Sequence, residues 1–300
     1  MKKKEIILIV FLLAAGFIVV SIMKYQSGTK DSDNVSNITT TTDTSRVFWD
    51  YYNRATNYRH SGLTDSSIVA YVAALKYRPD HQDALYYLGS MYMRAGKIEN
   101  AIRAWHRLIT VNSKSARTYK QLGDLYFCPE SGKFFDPGKA REYLMRAVEL
   151  NREAMEPLVK LGEVALYQNR LDEASGIFTK IGRTNQKNAE AHFMLGYLSW
   201  KAHRISDSDK ELALTMEYSD QLHIMTDETG GTAISQKNAS MNGSNSCAMF
   251  VPWIKKHVSK IKEDDVDRDA SKIFSSFDNY VVWLRIHPDR ATVLLGCTLI

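Results

Sequence analysis

Residues 82–115 read QDALYYLGSMYMRAGKIENAIRAWHRLITVNSKS, and the placement of large and small residues in this stretch decides the fold. Leu85, Leu88, Gly89 and Tyr92 form one cluster, and Ala101, Trp105 and Leu108 form a second. Small residues let two helices approach closely while the large ones fill the gaps beside them. Such a pair leaves one side bare and must bury it on a neighbour, so the pattern has to recur. It does recur: the spacings between Gly89, Gly123, Gly162 and Gly196 are 34, 39 and 34, and 34 residues before Gly89 stands Ala55, a tolerable small substitute.

The remaining positions stay in phase from Phe48 to about Ser219. The first unit carries Tyr51, Ala55, Tyr58, Tyr71, Ala74 and Pro79. The third carries Tyr119, Leu122, Gly123 and Tyr126, then Ala140, Leu144 and Ala147 beyond a five-residue insertion. Leu158, Leu161, Gly162, Ala165, Ala174, Phe178 and Ile181 mark the fourth, and Leu195, Gly196, Ser199, Ser208 and Leu212 the weaker fifth. About 170 of the 300 residues are covered.

This pattern resembles the tetratricopeptide repeat (TPR) family. The resemblance implies an all-α, TPR-type α-solenoid of about five helix pairs, whose concave side binds protein or peptide. In that family the second, fifth, ninth and twelfth residues of each repeat face the groove. Carried onto this chain they are Trp49, Tyr52, Thr56 and Arg59, then Asp83, Tyr86, Ser90 and Met93. Arg117, Lys120, Asp124 and Phe127 follow, then Glu156, Val159, Glu163 and Leu166, and finally Glu190, Phe193, Tyr197 and Trp200. The partner-binding residues expected from this lining are Trp49, Tyr52, Arg59, Tyr86, Arg117, Lys120, Phe127, Phe193, Tyr197 and Trp200, aromatic at both ends and charged in the middle. The carboxylate clamp of chaperone-binding relatives is missing, because its positions hold Tyr52, Thr56, Tyr87, Arg117 and Gln121. Pro79 is the only proline at its repeat position, with Ser113, Arg152 and Gln186 at the others, so looser turns are expected there.

Ahead of the repeats, Lys2, Lys3 and Lys4 precede an apolar run from Ile6 to Met23 that Lys24 closes. Eighteen residues at about 1.5 Å each give about 27 Å, close to a hydrocarbon core of about 30 Å. A cleavable signal peptide shares the basic start and apolar core, but no small-x-small site follows. The expectation is a transmembrane signal anchor over residues 1–26. The lysine bias puts the repeats outside the cytoplasm, on the outer side of a bacterial inner membrane. Residues 27–45 are nearly devoid of apolar side chains and read as a disordered tether.

The repeats are assigned to residues 46–220, a polar loop to 221–249 and a helical cap to 250–300. In the last segment Phe250, Ile254, His257, Val258 and Ile261 form one helical stripe. Ile273, Phe274, Phe277, Tyr280, Val281 and Leu284 form another, stopped near Pro288. Two readings stand: a closing cap for the open end of the stack, or a separate partner-binding module. The insertion in the third repeat carries Phe134 and Phe135, which either fold back or form an interaction tip.

A net charge of +5 has three of its positives before the membrane segment, so nucleic acid is not an expected partner. Cys128, Cys247 and Cys297 show neither metal spacing nor an even count and are read as free, although Cys128 and Cys247 have the means to pair. Asp264, Asp265, Asp267 and Asp269 lack the glycine and terminal glutamate of a calcium loop and suit a helix start. No nucleophile, dinucleotide or phosphate motif occurs, so no cofactor is expected. A membrane-anchored, non-enzymatic scaffold follows, with homo-oligomerisation open. The competing reading is an enzyme whose reactive groups lie in the C-terminal region.

Overall fold

The computed structural model describes residues 43–219, 249–264 and 269–288, and all regular elements in them are helical. They are α1 (residues 43–60), α2 (Thr64–Tyr77), α3 (Gln82–Arg94), α4 (Ile98–Val111), α5 (Ala116–Tyr126) and α6 (Pro137–Leu150). After them come α7 (Met155–Tyr167), α8 (Leu171–Thr184), α9 (Ala189–Lys201), α10 (Ile205–Glu217), α11 (Val251–Asp264) and α12 (Ala270–Ile286). The first ten form five successive pairs, as the 34-residue period requires. The chain divides into two compact units, residues 1–84 and 85–300.

In the first unit α1 and α2 meet at Ala55, which is wholly buried. The Ser67 hydroxyl donates to the Ala55 carbonyl at 2.9 Å, a contact that needs a small residue on the α1 side. Tyr71, also wholly buried, reaches across so that its hydroxyl lies 3.2 Å from Thr56 Oγ1.

The second unit repeats this contact with glycine. A Cβ on Gly89 would lie 2.3 Å from Trp105 Nε1, one on Gly123 would lie 2.5 Å from Leu144 Cγ, and one on Gly162 would lie 2.8 Å from Phe178 Cζ. Each large residue comes from the second helix of the same pair and fills the notch that its glycine leaves. Trp105 also gains a partner for its indole, donating to the Tyr86 carbonyl at 3.2 Å.

Within pairs, four of the five turns close the same way. Gly62, Gly96, Asn169 and His203 all have positive φ, between 58° and 75°. The next residue donates back to the first helix each time: Leu63 to Tyr58, Lys97 to Tyr92, Arg170 to Ala165 and Arg204 to Ser199, at 2.8–2.9 Å. This is the left-handed closure that caps helix carbonyls, and it recurs although its central residue changes. The third pair instead uses its insertion, a 3₁₀ turn at Pro129–Phe134 followed by Asp136, which accepts from the Gly138 and Lys139 amides and caps α6. Phe134 and Phe135 fold back: both are half-buried against the core, and the Phe135 ring lies 5.7 Å from Tyr167.

Between pairs the expectation of loose turns is corrected. Asn112, Asn151 and Asn185, each just before the position that Pro79 occupies in the first repeat, accept through Oδ1 from Lys114, Glu153 and Lys187 amides at 2.9–3.2 Å. These side-chain turns replace the ring constraint. Cys128, nearly buried, is disulfide-bonded, contrary to its reading as a free cysteine; Cys247 and Cys297 lie outside the described residues. So do residues 1–26, expected as a membrane anchor, most of 27–45, expected as a tether, and nearly all of 221–249, expected as a polar loop. No helix among the described residues is long and apolar enough to cross a membrane.

The notch contacts are tested by Gly89→Ala, expected to cost about 1–3 kcal/mol because Trp105 must move. Gly176→Ala in α8, where nothing lies within 4 Å, should stabilise by about 0.5–1 kcal/mol. Urea denaturation of both variants measures the contrast.

Candidate functional site

The expected groove residues sit on α1, α3, α5, α7 and α9, and their surroundings differ sharply along the chain. In the first unit Trp49 is 43% exposed while Phe48 beside it is buried, their rings 4.9 Å apart. Tyr52 is half-buried, 5.7 Å from Phe48 and 5.2 Å from His81. The Arg78 guanidinium lies over Phe48 at 4.9 Å and donates to Ser45 Oγ at 2.7 Å. His81 caps α3 by accepting from the Ala84 amide at 3.2 Å, which requires an unprotonated Nδ1. Burial, and then Arg78 against the opposing pull of Asp83, holds its pKa below the usual imidazole value. Arg59 is half-buried beside His60.

In the second unit α3 and α5 present a partly open set. The Arg117 guanidinium is exposed and stacks 4.2 Å over the Tyr86 ring, and Gln121 Nε2 donates to the Tyr86 hydroxyl at 3.2 Å. Tyr87 lies edge-on to Tyr86 at 5.3 Å. One turn along α5, Lys120 bridges Asp124 at 3.1 Å and Glu156 at 2.9 Å. Burial opposes the Lys120 charge, but the two carboxylates outweigh it and raise the ammonium pKa. For Asp124 burial dominates and raises the carboxyl pKa despite Lys120 and Lys160.

Towards α7 and α9 the same face is closed. Phe127 is fully buried between Phe135 and Tyr167, with ring centroids 6.1 and 5.6 Å away. Phe193 is 0% exposed and Tyr197 1%. Their cover comes from the C-terminal helices: Phe193 lies 5.2 Å from Phe274, 5.0 Å from Phe277 and 6.0 Å from Trp253. The Tyr197 hydroxyl donates to Asp278 at 2.6 Å, and Lys201 pairs with the same oxygen at 3.0 Å. Arg285 donates to the Tyr167 and Leu166 carbonyls at 2.7 Å each, gripping the open C-terminal end of α7. Phe274 enters the Gly196 notch, where a Cβ would meet it at 2.7 Å. The C-terminal pair thus covers Phe193 and Tyr197 on α9 and grips the C-terminal end of α7. Phe127, Phe193 and Tyr197 are core residues, and of the expected lining at α9 Trp200 alone keeps partial exposure, stacked on Tyr197.

Sequence reasoning missed Gln121, Asp278 and Arg285. Gln121 lies off the four groove positions, and the other two belong to a segment with no repeat phase. Asp269, from the acidic run, caps α12 by accepting from the Ser271 amide at 2.9 Å. Among the described residues no three His, Cys, Asp or Glu side chains converge as metal ligands.

Comparison with known proteins bears on the notch-and-turn architecture. Residues 52–116 match the tetratricopeptide repeat family. Among solved structures, that of MamA superimposes with a TM-score of 0.52 at 21% identity, covering 64% of this chain and 100% of that one. MamA from Desulfovibrio magneticus gives 0.51 at 13%, over 58% and 96%. PilF of Pseudomonas aeruginosa gives 0.50 at 18%, over 82% and 94%. At these identities the likeness is one of fold. The anaphase-promoting complex subunit CDC16 of Saccharomyces cerevisiae is 22% identical over 233 residues, 75% of this chain, which spans about a quarter (26%) of that protein's length.

If Asp278 anchors α12, Asp278→Ala strands the buried Tyr197 hydroxyl and should cost about 1–3 kcal/mol. Asp278→Asn keeps an acceptor and should cost less. Thermal unfolding of the two variants reads the difference.

Proposed function

We propose that this chain is a scaffold that holds a protein or peptide partner on the first-helix face of its repeats, with α3 and α5 as the accessible part in the second unit. One observation carries the reading: Arg117, exposed, is held over Tyr86 while Gln121 fixes the Tyr86 hydroxyl. A tyrosine and an arginine already immobilised lose little conformational freedom on binding, and these are residue types that dominate interface energies. The guanidinium suits a carboxylate on the partner, and the Tyr86–Tyr87 rings suit its apolar side chains. The tetratricopeptide repeat match over 52–116 includes α3 and supports this use of the face.

We infer further that residues 1–26 anchor the chain in a bacterial inner membrane with the repeats on the outer side, where envelope or secretion complexes assemble. The apolar run from Ile6 to Met23 and the lysines before it support the anchor. The Cys128 disulfide supports an oxidising compartment. The scaffold reading assigns no catalytic step.

Pull-down from solubilised membranes tests the site. Arg117→Ala and Tyr86→Ala should each weaken capture at least tenfold, about 1.4 kcal/mol, while the melting temperature of Arg117→Ala stays close to that of the unaltered chain. Undiminished capture by both variants would remove the assignment. Removal of residues 1–26 should shift the protein from the membrane to the soluble fraction.

A further inference from the structure

Between α7, α9 and the C-terminal helices lies a group of buried carboxylates that neither the notch contacts nor the proposed partner face uses. Glu163 on α7 is 1% exposed and Glu190 on α9 is 3% exposed. Lys160 Nζ pairs with Glu163 Oε2 at 2.5 Å, whereas Glu190 Oε1 is buried and accepts no hydrogen bond. The charges facing this pair come from every side. Lys160 lies on α7 itself, and Asp124 stands on α5, bridged through Lys120 to Glu156. Lys255 faces Glu190 from α11, and the Tyr280 hydroxyl on α12 senses Glu163 while donating to the Met249 carbonyl. Lys120 is taken up by Asp124 and the exposed Glu156, and Lys160 by Glu163, so Glu190 is the buried carboxyl whose Oε1 has no hydrogen-bond donor. A carboxyl buried without a donor favours its neutral form.

We propose that docking of α11 and α12 on the first-helix face is proton-linked: Glu190 is neutral beneath the docked helices and takes up its charge when they lift away. The helix pair is then an occupant of the last two repeats whose hold on Phe193 and Tyr197 weakens as the surroundings become alkaline. The linkage does not depend on what binds the remainder of the face.

Burial, reinforced by the neighbouring Glu163 charge, pushes the Glu190 carboxyl from 4.5 up to about 8, while Lys160 and Lys255 oppose the rise. Burial holds the Lys255 pKa below the usual lysine value, with Glu190 opposing. Burial also opposes the Lys160 charge, but Glu163 and Asp124 outweigh it and keep that ammonium protonated. With the docked value above the undocked one, the docked state binds the extra proton. Its contribution is complete below 4.5, declines as pH rises towards about 8 and is constant beyond.

Hydrogen exchange of α12 amides in the full chain, corrected for intrinsic rates, tests this at pH 5.5 and 8.5. The opening equilibrium of α12 should rise by on the order of a hundredfold across that interval, with no such rise in α3–α6. Glu190→Gln should abolish the rise and retain protection at pH 8.5. Equal opening at both pH values, or an undiminished rise in Glu190→Gln, overturns the proposal. Should Glu190→Gln loosen α3–α6 as well, Glu163→Gln decides: a midpoint moved to lower pH supports the linkage, and an unmoved one overturns it.

Discussion

The architecture depends on the approach distance between the two helices of a pair. Gly89, Gly123 and Gly162 leave notches that Trp105, Leu144 and Phe178 fill, and no side chain beyond hydrogen fits there. A filled notch sets the spacing and orientation of a hairpin, and the hairpin's remaining apolar side must then be covered by a neighbour. The core of the second unit follows from this, running from Ala101 and Trp105 through Leu161 and Phe178 to Leu212.

Gly196 shows what happens when the array runs out. Its notch receives Phe274 from α12, which stands nearer than the Glu211 Cβ of α10. The last pair is therefore completed by a segment without repeat phase, and that segment lies over Phe193 and Tyr197 of α9. The expected lining at Phe193 and Tyr197 failed for this reason: its residues have the right type and register, but their neighbours lie some 80 positions away at Asp278 and Phe274. Nothing in a local pattern encodes which distant helix will cover a face. The helical stripes of α11 and α12 were legible, as was their need to be buried, whereas their destination was not.

Elsewhere the sequence was readable where one contact recurs with one residue type, and opaque where one conformation recurs with several. The glycine notches and their large partners are of the first kind. The left-handed turn residues are of the second: Gly62 and Gly96 announce themselves, but Asn169 and His203 adopt the same backbone without glycine. The asparagine turns at 112, 151 and 185 likewise took over the task of a proline whose absence suggested looseness. At the candidate face Tyr86, Arg117 and Lys120 were visible from register. Gln121 and Glu190 had known positions, but their roles, and the part of Lys160, became visible only through packing, since burial rather than position gives them their chemistry.

The arrangement of α9 beneath α12 also has a consequence for synthesis. α9 ends at Lys201 and α12 begins at Ala270, so 68 residues, 202 to 269, separate an apolar surface from the helix that shields it. At about 5–20 residues per second, a ribosome leaves that surface bare for roughly 3–14 s after α9 is made. Nascent chains still attached to the ribosome therefore display Phe193 and Tyr197 to whatever chaperone waits outside the exit tunnel, and messages truncated before codon 270 yield products that keep this hydrophobic patch permanently.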